Sequence, residues 1–481
     1  MDAAPLRRGD LHPSRQAREG SMQAALQRLF HLEERGTNIR TEVIAGLTTF
    51  VTVAYILAVN PSVLAQSGMD SGAVFTATAV VTFIGTCLMG LMTNYPFILG
   101  PSLGLNAYFA YTVCLSMGYS WQVGLAACFV EGLIFLLLSV TKLRDLVFNA
   151  IPQSLKLAIT AGIGLFVALI GLKGAGIIVG NDATLVGLFN IHESLADGSF
   201  STAGISVVLA LVGVIITGIL SSKHVKGDIL LGILITWALG IVCQLAGVYV
   251  PDPAAGFNSV LPDFSRGLSV PSLAPTFMQL DFSHITDLGF LTVVMAILFA
   301  SLFDTVGTLV GAASKAGLLD EDGNLAHTKG ALVAESLTTM VAAVFGNSPT
   351  CVSVECAAGI TSGGRTGLTS ITVAVMFVLS LLLSPFFLAI PMFATAPALI
   401  MVGFSMMGAL FGVDFGNVCE GLPAFVCAIA MPFTYSIAEG ICLGIIVYVV
   451  VNLAAGEERR RTISPMMYAL AVLFVLKYLV I

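Results

Sequence analysis

Blocks of roughly 17 to 25 apolar residues, the length that crosses the hydrocarbon core of a bilayer, alternate along this chain with short polar connections. The alternation predicts about fourteen membrane spans, some short or broken, near 43–60, 73–93, 98–117, 121–140, 151–172, 203–221, 228–247, 288–311, 329–346, 350–361, 368–390, 394–412, 421–434 and 436–453. A further apolar stretch, 465–481, either spans or lies at the interface. The first 40 residues are polar and Arg-rich and do not resemble a cleaved signal peptide.

Two blocks depart from a simple helix. "PFILGPSLGLNAYFAYTV" (96–113) and "FGNSPTCVSVECAAGI" (345–360) both open with Gly or Asn, Ser and Pro, continue with small or β-branched residues, and then set a polar residue, Asn106 or Glu355, before a short helical remainder. They stand seven spans apart, and an odd offset inverts the second copy, as an inverted repeat requires. The first and eighth spans form a second pair, "AYILAVNPSVLAQSG" (54–68) and "FASLFDTVGTLVGAASKAG" (299–317), each expected to break at a polar centre, Asn60-Pro61 and Asp304. Extended backbone survives inside a membrane only where protein or a water-filled cavity covers it. The residues 101–105 and 349–354 therefore read as short strands crossing at mid-bilayer, each followed by a half-helix whose free amides and positive dipole end face the crossing.

Composition agrees with a bilayer as solvent: the 481 residues are 57% hydrophobic and only 10% charged, with a mean hydropathy of +0.96, too little polar surface for a soluble globule. Basic residues orient the chain, because cytoplasmic loops hold Lys and Arg. With the N-terminus cytoplasmic, the arginines before the first span and Lys142, Arg144, Lys156, Lys223, Lys226, Lys315, Lys329, Arg365 and Arg459 to Arg461 all fall inside, and only Lys173 and Arg266 fall opposite. The net charge of −7 comes with no basic, aromatic-rich stripe for nucleic acid. Nine cysteines without CxxC spacing read as packing, and six histidines confined to the tail and loops offer no metal site and no membrane proton relay.

Acids inside spans are the candidate chemistry, since a carboxylate at a helix centre costs about 2.5 to 3.5 kcal/mol on insertion scales. Asp304 and Glu355 fall in the two discontinuous segments of the second half and are expected to converge on one cavity, whereas Glu131 and Glu335 read as structural hydrogen-bonding groups. Glu439 lies near a span boundary and reads as solvated, and Asn106 is either site or scaffold. Ionised carboxylates accept, Asn does both, and half-helix amides donate. The matching ligand is neutral or cationic, with adjacent N–H donors and a carbonyl or ring-nitrogen acceptor, and flat if Tyr55, Tyr108 or Phe303 sandwich it. A nucleobase fits, and a buried acid can also carry a proton with it.

At these residues the chain resembles a known family. "GLTTFVTVAYILAVNPSVLAQSGMD" (46–70), "GPSLGLNAYFAYTV" (100–113), "LFDTVGTLVG" (302–311), "VECAAGITSGGRTGLTS" (354–370), "ATAPALIMVG" (394–403) and "MPFTYSIAEGI" (431–441) are similar to motifs of the azaguanine-type purine permeases, a branch of the nucleobase:cation symporter-2 (nucleobase-ascorbate) family. The resemblance runs in order from residue 41 to 453. It implies an all-α polytopic membrane protein with about fourteen segments in a 7+7 inverted repeat, short strands in the third and tenth, and a homodimer moving by an elevator mechanism in the cell membrane. Its implied divisions are a cytoplasmic tail (1–40), core domain parts (41–140 and 286–390), gate domain parts (141–285 and 391–455) and a C-terminal segment (456–481). It implies a purine nucleobase as substrate, bound by Tyr55, Asn106, Phe303, Asp304, Val354 and Glu355, with no cofactor beyond the proton and with Asp304 and Glu355 as the proton-coupling candidates. Thr308 stands where the uracil and xanthine branches commonly carry histidine, which argues against those bases. "FDTVGTL" and "GGRTGLTS" look closer to oxopurine members, favouring hypoxanthine and guanine over adenine. "CVSVEC" departs from the aromatic residue usual before the glutamate motif.

Two other classes compete. A same-fold anion transporter of the sulfate type is disfavoured because two carboxylates at the half-helices would repel its substrate. An intramembrane aspartyl protease needs two catalytic aspartates, typically one in a Gly-x-Gly-Asp context, and that string is absent. Arg365 either neutralises a carbonyl terminus, pairs with an acid, or simply anchors the topology.

Overall fold

The computed structural model describes residues 24–141, 151–181, 184–253, 256–263, 269–316, 318 and 328–480. In chain order its segments are 1 (Ile39–Val53 and Ile56–Leu64), 2 (Ser71–Thr93), 3 (Leu99–Pro101, Leu103–Ala107 and the π-helical Tyr108–Ser116), 4 (Trp121–Val140), 5 (Gln153–Gly174), 6 (Ala203–Ser222) and 7 (Asp228–Leu245). The second half holds segments 8 (Leu288–Ala316), 9 (Thr328–Phe345), 10 (Thr350–Val352 and Cys356–Thr361), 11 (Gly367–Leu379), 12 (Met392–Met407), 13 (Val418–Thr434) and 14 (Ile437–Ala454), followed by a C-terminal helix, Pro465–Val480. Among the described residues, nine helices are long and apolar enough to cross a membrane. The surface inverts the soluble pattern: Leu137, Ile215, Val242 and Phe425 are exposed while Glu42, Glu131 and Glu335 are wholly buried, as expected where lipid replaces water.

Segments 3 and 10 meet as an antiparallel pair of three-residue strands, with Leu99 opposite Val352, Gly100 opposite Cys351 and Pro101 opposite Thr350. Two flanking bonds extend the ladder, Ser102 N–H to Pro349 O at 3.0 Å and Ser353 N–H to Ile98 O at 3.1 Å. Prolines at 101 and 349 explain its brevity, since neither can donate to a ladder. The strands are shorter than the sequence suggests, and the first lies earlier: 103 onward is already helical, so Asn106 sits inside the half-helix rather than at its mouth. A second hairpin, Ile178–Asn181 with Leu185–Leu188, was not expected and lies in the connection after segment 5.

The proposed breaks in segments 1 and 8 are corrected. Segment 1 breaks at Ala54 and Tyr55, where Leu57 and Ala58 donate to Ala54 O and Tyr55 O three residues back, and Pro61 lies inside the following helix. The bond that Pro61 cannot make is to Leu57 O, four residues before it and inside the same helix, so the proline is accommodated there and does not set the break at Ala54 and Tyr55. Segment 8 runs as one helix through Asp304. Asp304 has neither proline's ring nor its missing N–H, so it lacks the steric means to break a helix.

Packing sorts the segments into two groups. Segments 1 to 4 pack with 8 to 11, notably 4 against 9, 2 against 11 and 9, and 1 against 11; segment 5 packs against 12 and 13, 6 against 7 and 12, and 13 against 14. Close approaches need small residues. A Cβ on Gly367 would stand 2.1 Å from Gly90 O, and one on Gly359 would stand 1.9 Å from Thr49 Oγ1.

Candidate functional site

The helix break at Tyr55 and the strand end at Glu355 place two residues 300 positions apart in contact. Tyr55 Oη donates to Glu355 Oε1 at 2.6 Å, within the short range of a bond to an ionised acceptor. Glu355 occupies the N-cap position of Cys356–Thr361, so its carboxyl group is presented by backbone leaving a strand rather than buried along a helix face. The thiol of Cys356 is used locally, its Sγ accepting from Ile98 N–H at 3.1 Å.

Around this pair lies a cavity of about 470 Å³, in the range of small-molecule sites. One wall comes from the first packing group: Tyr55, the Pro101–Gly104 turn, Thr308 and the Cys351–Glu355 stretch. The other comes from Leu157 and Thr160 of segment 5, Ile229 of segment 7, and Val402, Ser405 and Met406 of segment 12. These are N-terminal ends of odd segments and the C-terminal end of an even one, so they share one membrane face. The lining is mostly apolar with a few convergent polar groups, an arrangement that orients a ligand without solvating it.

Of the residues singled out in the sequence, the structure brings together Tyr55, Val354 and Glu355, all lining the cavity. The side chains of Phe303 and Asp304 lie outside the described residues; position 304 is one helical turn before Thr308, which does line the cavity. Asn106 is not among the lining residues. It is fully buried, and its Nδ2 donates to Asn60 Oδ1 at 2.6 Å. Asn60 in turn donates to Thr78 Oγ1 at 2.7 Å and to Asn347 Oδ1 at 2.8 Å, knitting segments 1, 2 and 3 to the turn before the second strand. The polar break foreseen at Asn60 is thus a scaffold for the crossing. Replacing Asn60 by leucine orphans Asn106 Nδ2, a buried donor whose loss costs about 1–3 kcal/mol, and takes one bond each from Thr78 and Asn347, which still hold each other, Val74 O and Ser348 N–H. The expected outcome is a large drop in the melting midpoint of the detergent-purified protein, and an unchanged midpoint would refute the scaffold role.

Sequence reasoning missed Ser102, Thr160, Ser353 and Ser405 as cavity groups, because single hydroxyls are common in membrane helices and carry no spacing signal. It also passed over Glu42, which accepts from Arg365 N–H at 2.9 Å, Thr366 N–H at 3.2 Å and Thr369 Oγ1 at 2.6 Å. Arg365 Nη1 donates to Ile360 O at 2.8 Å and Gly364 O at 2.9 Å, so it neutralises the carbonyl end of the tenth half-helix. Glu439 is not simply solvated: it accepts from Tyr478 Oη of the C-terminal helix. Glu335 accepts from Thr305 Oγ1 across segments 9 and 8, the structural bond expected of it.

At the opposite face the two packing groups touch through Tyr435, between segments 13 and 14, a non-glycine residue at φ 56°. Its carbonyl accepts from Thr112 Oγ1 at 2.7 Å. Its ring meets Tyr111 and Phe166 edge-on, with centroids 6.2 Å and 5.5 Å apart, and Lys173 Nζ stands 4.8 Å from its centroid.

Comparison with known proteins places this geometry. A family profile described as "Permease family" (Xan_ur_permease) matches residues 40–443. The chain is 44% identical over 453 residues to a putative permease of Methanocaldococcus jannaschii, covering 94% of this chain and 98% of that one. It is 39% identical to the adenine permease AdeP of Escherichia coli (95% and 96% covered) and 40% identical to the guanine/hypoxanthine permease PbuO of Bacillus subtilis (94% and 100% covered). Among solved structures, the transmembrane domain of a cyanobacterial bicarbonate transporter, BicA, matches with a TM-score of 0.59 at 17% identity, over 85% of this chain and 97% of that one. SLC26A9 matches with 0.62 at 12% identity, over 93% and 73%. These two likenesses show the fold alone.

Proposed function

Because the chain belongs to the nucleobase:cation symporter-2 family of permeases, we propose that it imports purine nucleobases, hypoxanthine and guanine ahead of adenine, together with protons. It is a multi-pass membrane permease and not an enzyme. The observation that carries the substrate reading is the Tyr55–Glu355 pair opening onto a mostly apolar cavity at the strand crossing. The carboxylate accepts purine N–H groups, Tyr55 fixes its orientation, and the apolar walls exclude water from the base. An anion of the bicarbonate or sulfate kind meets a carboxylate there and is repelled.

Alternating access follows from the two packing groups. Segments 1–4 and 8–11 form a core that carries the strand crossing, and segments 5–7 and 12–14 form a gate against which it slides, in a protein that works as a homodimer in the cell membrane. With the N-terminus cytoplasmic, the cavity wall built from segments 5, 7 and 12 lies on the cytoplasmic side and the Thr112–Tyr435 contact closes the outer side. Asp304 and Glu355 are the two candidate carriers of the coupled proton. The test is uptake of radiolabelled hypoxanthine into cells lacking their own purine permeases, with and without a protonophore. Accumulation that the protonophore collapses supports the reading; no uptake above the empty vector overturns it.

The outer closure has its own test. Thr112→Val removes one hydrogen bond worth about 1 kcal/mol, about fivefold in the closed-to-open ratio. Hypoxanthine uptake by that variant is expected to differ from wild type by about that factor, and an unchanged rate would refute the closure.

A further inference from the structure

Beyond segment 14 the chain turns back, and the turn is fixed at one face of the bundle. Arg459, in the short helix Glu457–Arg460, holds its Nη1 3.7 Å from Glu420 Oε1. Glu420 lies in the first turn of segment 13, and Ser154, in the first turn of segment 5, donates to the same carboxylate. The turn therefore sits on the face where segments 5 and 13 begin. From it Pro465–Val480 runs for 16 residues, about 24 Å at 1.5 Å per residue, packed against segment 14. Met467, Leu470, Ala471 and Phe474 form its buried stripe, and Val472, Leu473, Val475, Leu476 and Leu479 are exposed. Near its end Tyr478 Oη donates to Glu439, in the first turn of segment 14. The helix thus starts beside the last turn of segment 14 and ends beside the first, so the two run antiparallel.

A helix that lies on a bilayer keeps a polar face towards water. This one has none: from Ala469 to Leu476 every residue is apolar, on the exposed side as on the buried one, which suits hydrocarbon all round. Its 16 residues compare with 17 in segment 13 and 18 in segment 14, and a tyrosine at its far end suits the headgroup level. We propose that Pro465–Val480 is a fifteenth membrane span, antiparallel to segment 14, clasped to it by Tyr478 and Glu439 and carried with the gate. Across from it stands segment 8 of the core, and between segments 8 and 14 and this helix lies an apolar cavity of about 220 Å³, lined by Leu291, Met295, Phe299, Ala438, Ile441 and Phe474. The helix therefore screens the seam between core and gate from bulk lipid without gripping segment 8. Its direction, from inside to outside, rests on the cytoplasmic N-terminus proposed above; the crossing itself does not.

Two single-cysteine additions to the full chain test the crossing, Glu458→Cys before the helix and Leu479→Cys at its end, both at exposed positions. Bacterial cells expressing each variant are treated with a membrane-impermeant maleimide, intact and after permeabilisation, and labels are counted by mass against wild type. Leu479→Cys is expected to gain one label in intact cells, and Glu458→Cys only after permeabilisation. The reverse pattern keeps the span and overturns the cytoplasmic N-terminus, so the two failures are told apart. Both positions labelled from the same side overturn the span. If the thiol at 479 reacts in neither condition, alkaline phosphatase fused after Ile481 decides, because its disulfides form only outside the cytoplasm. With Glu458→Cys labelled only after permeabilisation, an active fusion supports the span and an inactive one overturns it. The clasp is read separately: Tyr478→Phe is expected to lower the melting midpoint of the detergent-purified protein, and an unchanged midpoint overturns the clasp.

Discussion

Replacing Glu355 by glutamine is expected to lower hypoxanthine uptake by about 10- to 100-fold, the worth of hydrogen bonds to a charged acceptor of about 1.5–3 kcal/mol, with the protein still folded and inserted. The amide keeps the shape of the side chain but turns one acceptor oxygen into a donor, which meets purine N–H groups donor to donor. It also removes the charge that shortens the Tyr55 bond and one of two candidate proton carriers. Tyr55→Phe removes only the bond that steers the carboxylate, so its loss is expected to be smaller, about fivefold. Uptake measured across a pH series checks both variants. If E355Q transports with wild-type rate and wild-type pH dependence, the carboxylate does not read the base.

The second large effect is structural. Gly367→Val is expected to abolish accumulation of folded protein, because the new Cβ would stand 2.1 Å from Gly90 O, a backbone atom that cannot swing away. Segments 11 and 2 touch at this point backbone to backbone, and overpacking there costs more than about 3 kcal/mol. Gly218→Ala is the control, since a Cβ there meets nothing within 4 Å. It lies inside the helix Ala203–Ser222, so alanine is expected to be neutral or to stabilise by about 0.5–1 kcal/mol. Size-exclusion profiles of the two variants separate the outcomes; a monodisperse G367V protein would contradict the packing described.

How much of this was legible in the sequence depended on what kind of signal each feature leaves. Membrane segments are written as long apolar runs, and the strand crossing was foreshadowed by the Gly, Ser and Pro of residues 100–102 and 346–349. Glu355 was legible as an acid just past such a break, and its partner Tyr55 only as an aromatic nearby, because a contact across 300 residues leaves no periodicity. The helix break at Tyr55 was misplaced onto Asn60-Pro61, because proline is the visible breaker in the sequence, whereas Pro61 is accommodated inside Ile56–Leu64. Asn106 looked equally suited to ligand and scaffold, and its bond to Asn60 depends on where segments 1 and 3 cross, which local sequence does not encode. Glu42 escaped notice since it sits at the mouth of segment 1, where an acid is unremarked until three groups of the 365–369 turn are seen to converge on it.

The fold is shared with bicarbonate and SLC26-type transporters, so architecture does not choose the substrate; the side chains at the crossing do. The choice between a base and an anion is therefore made at the strand crossing. Its most direct test is a competition panel against uptake of radiolabelled hypoxanthine, using guanine, adenine, xanthine, uracil, sulfate and bicarbonate as unlabelled competitors. Guanine and adenine are expected to suppress uptake while xanthine, uracil and both anions leave it unchanged. Suppression by sulfate or bicarbonate, with no effect of guanine or adenine, would contradict it.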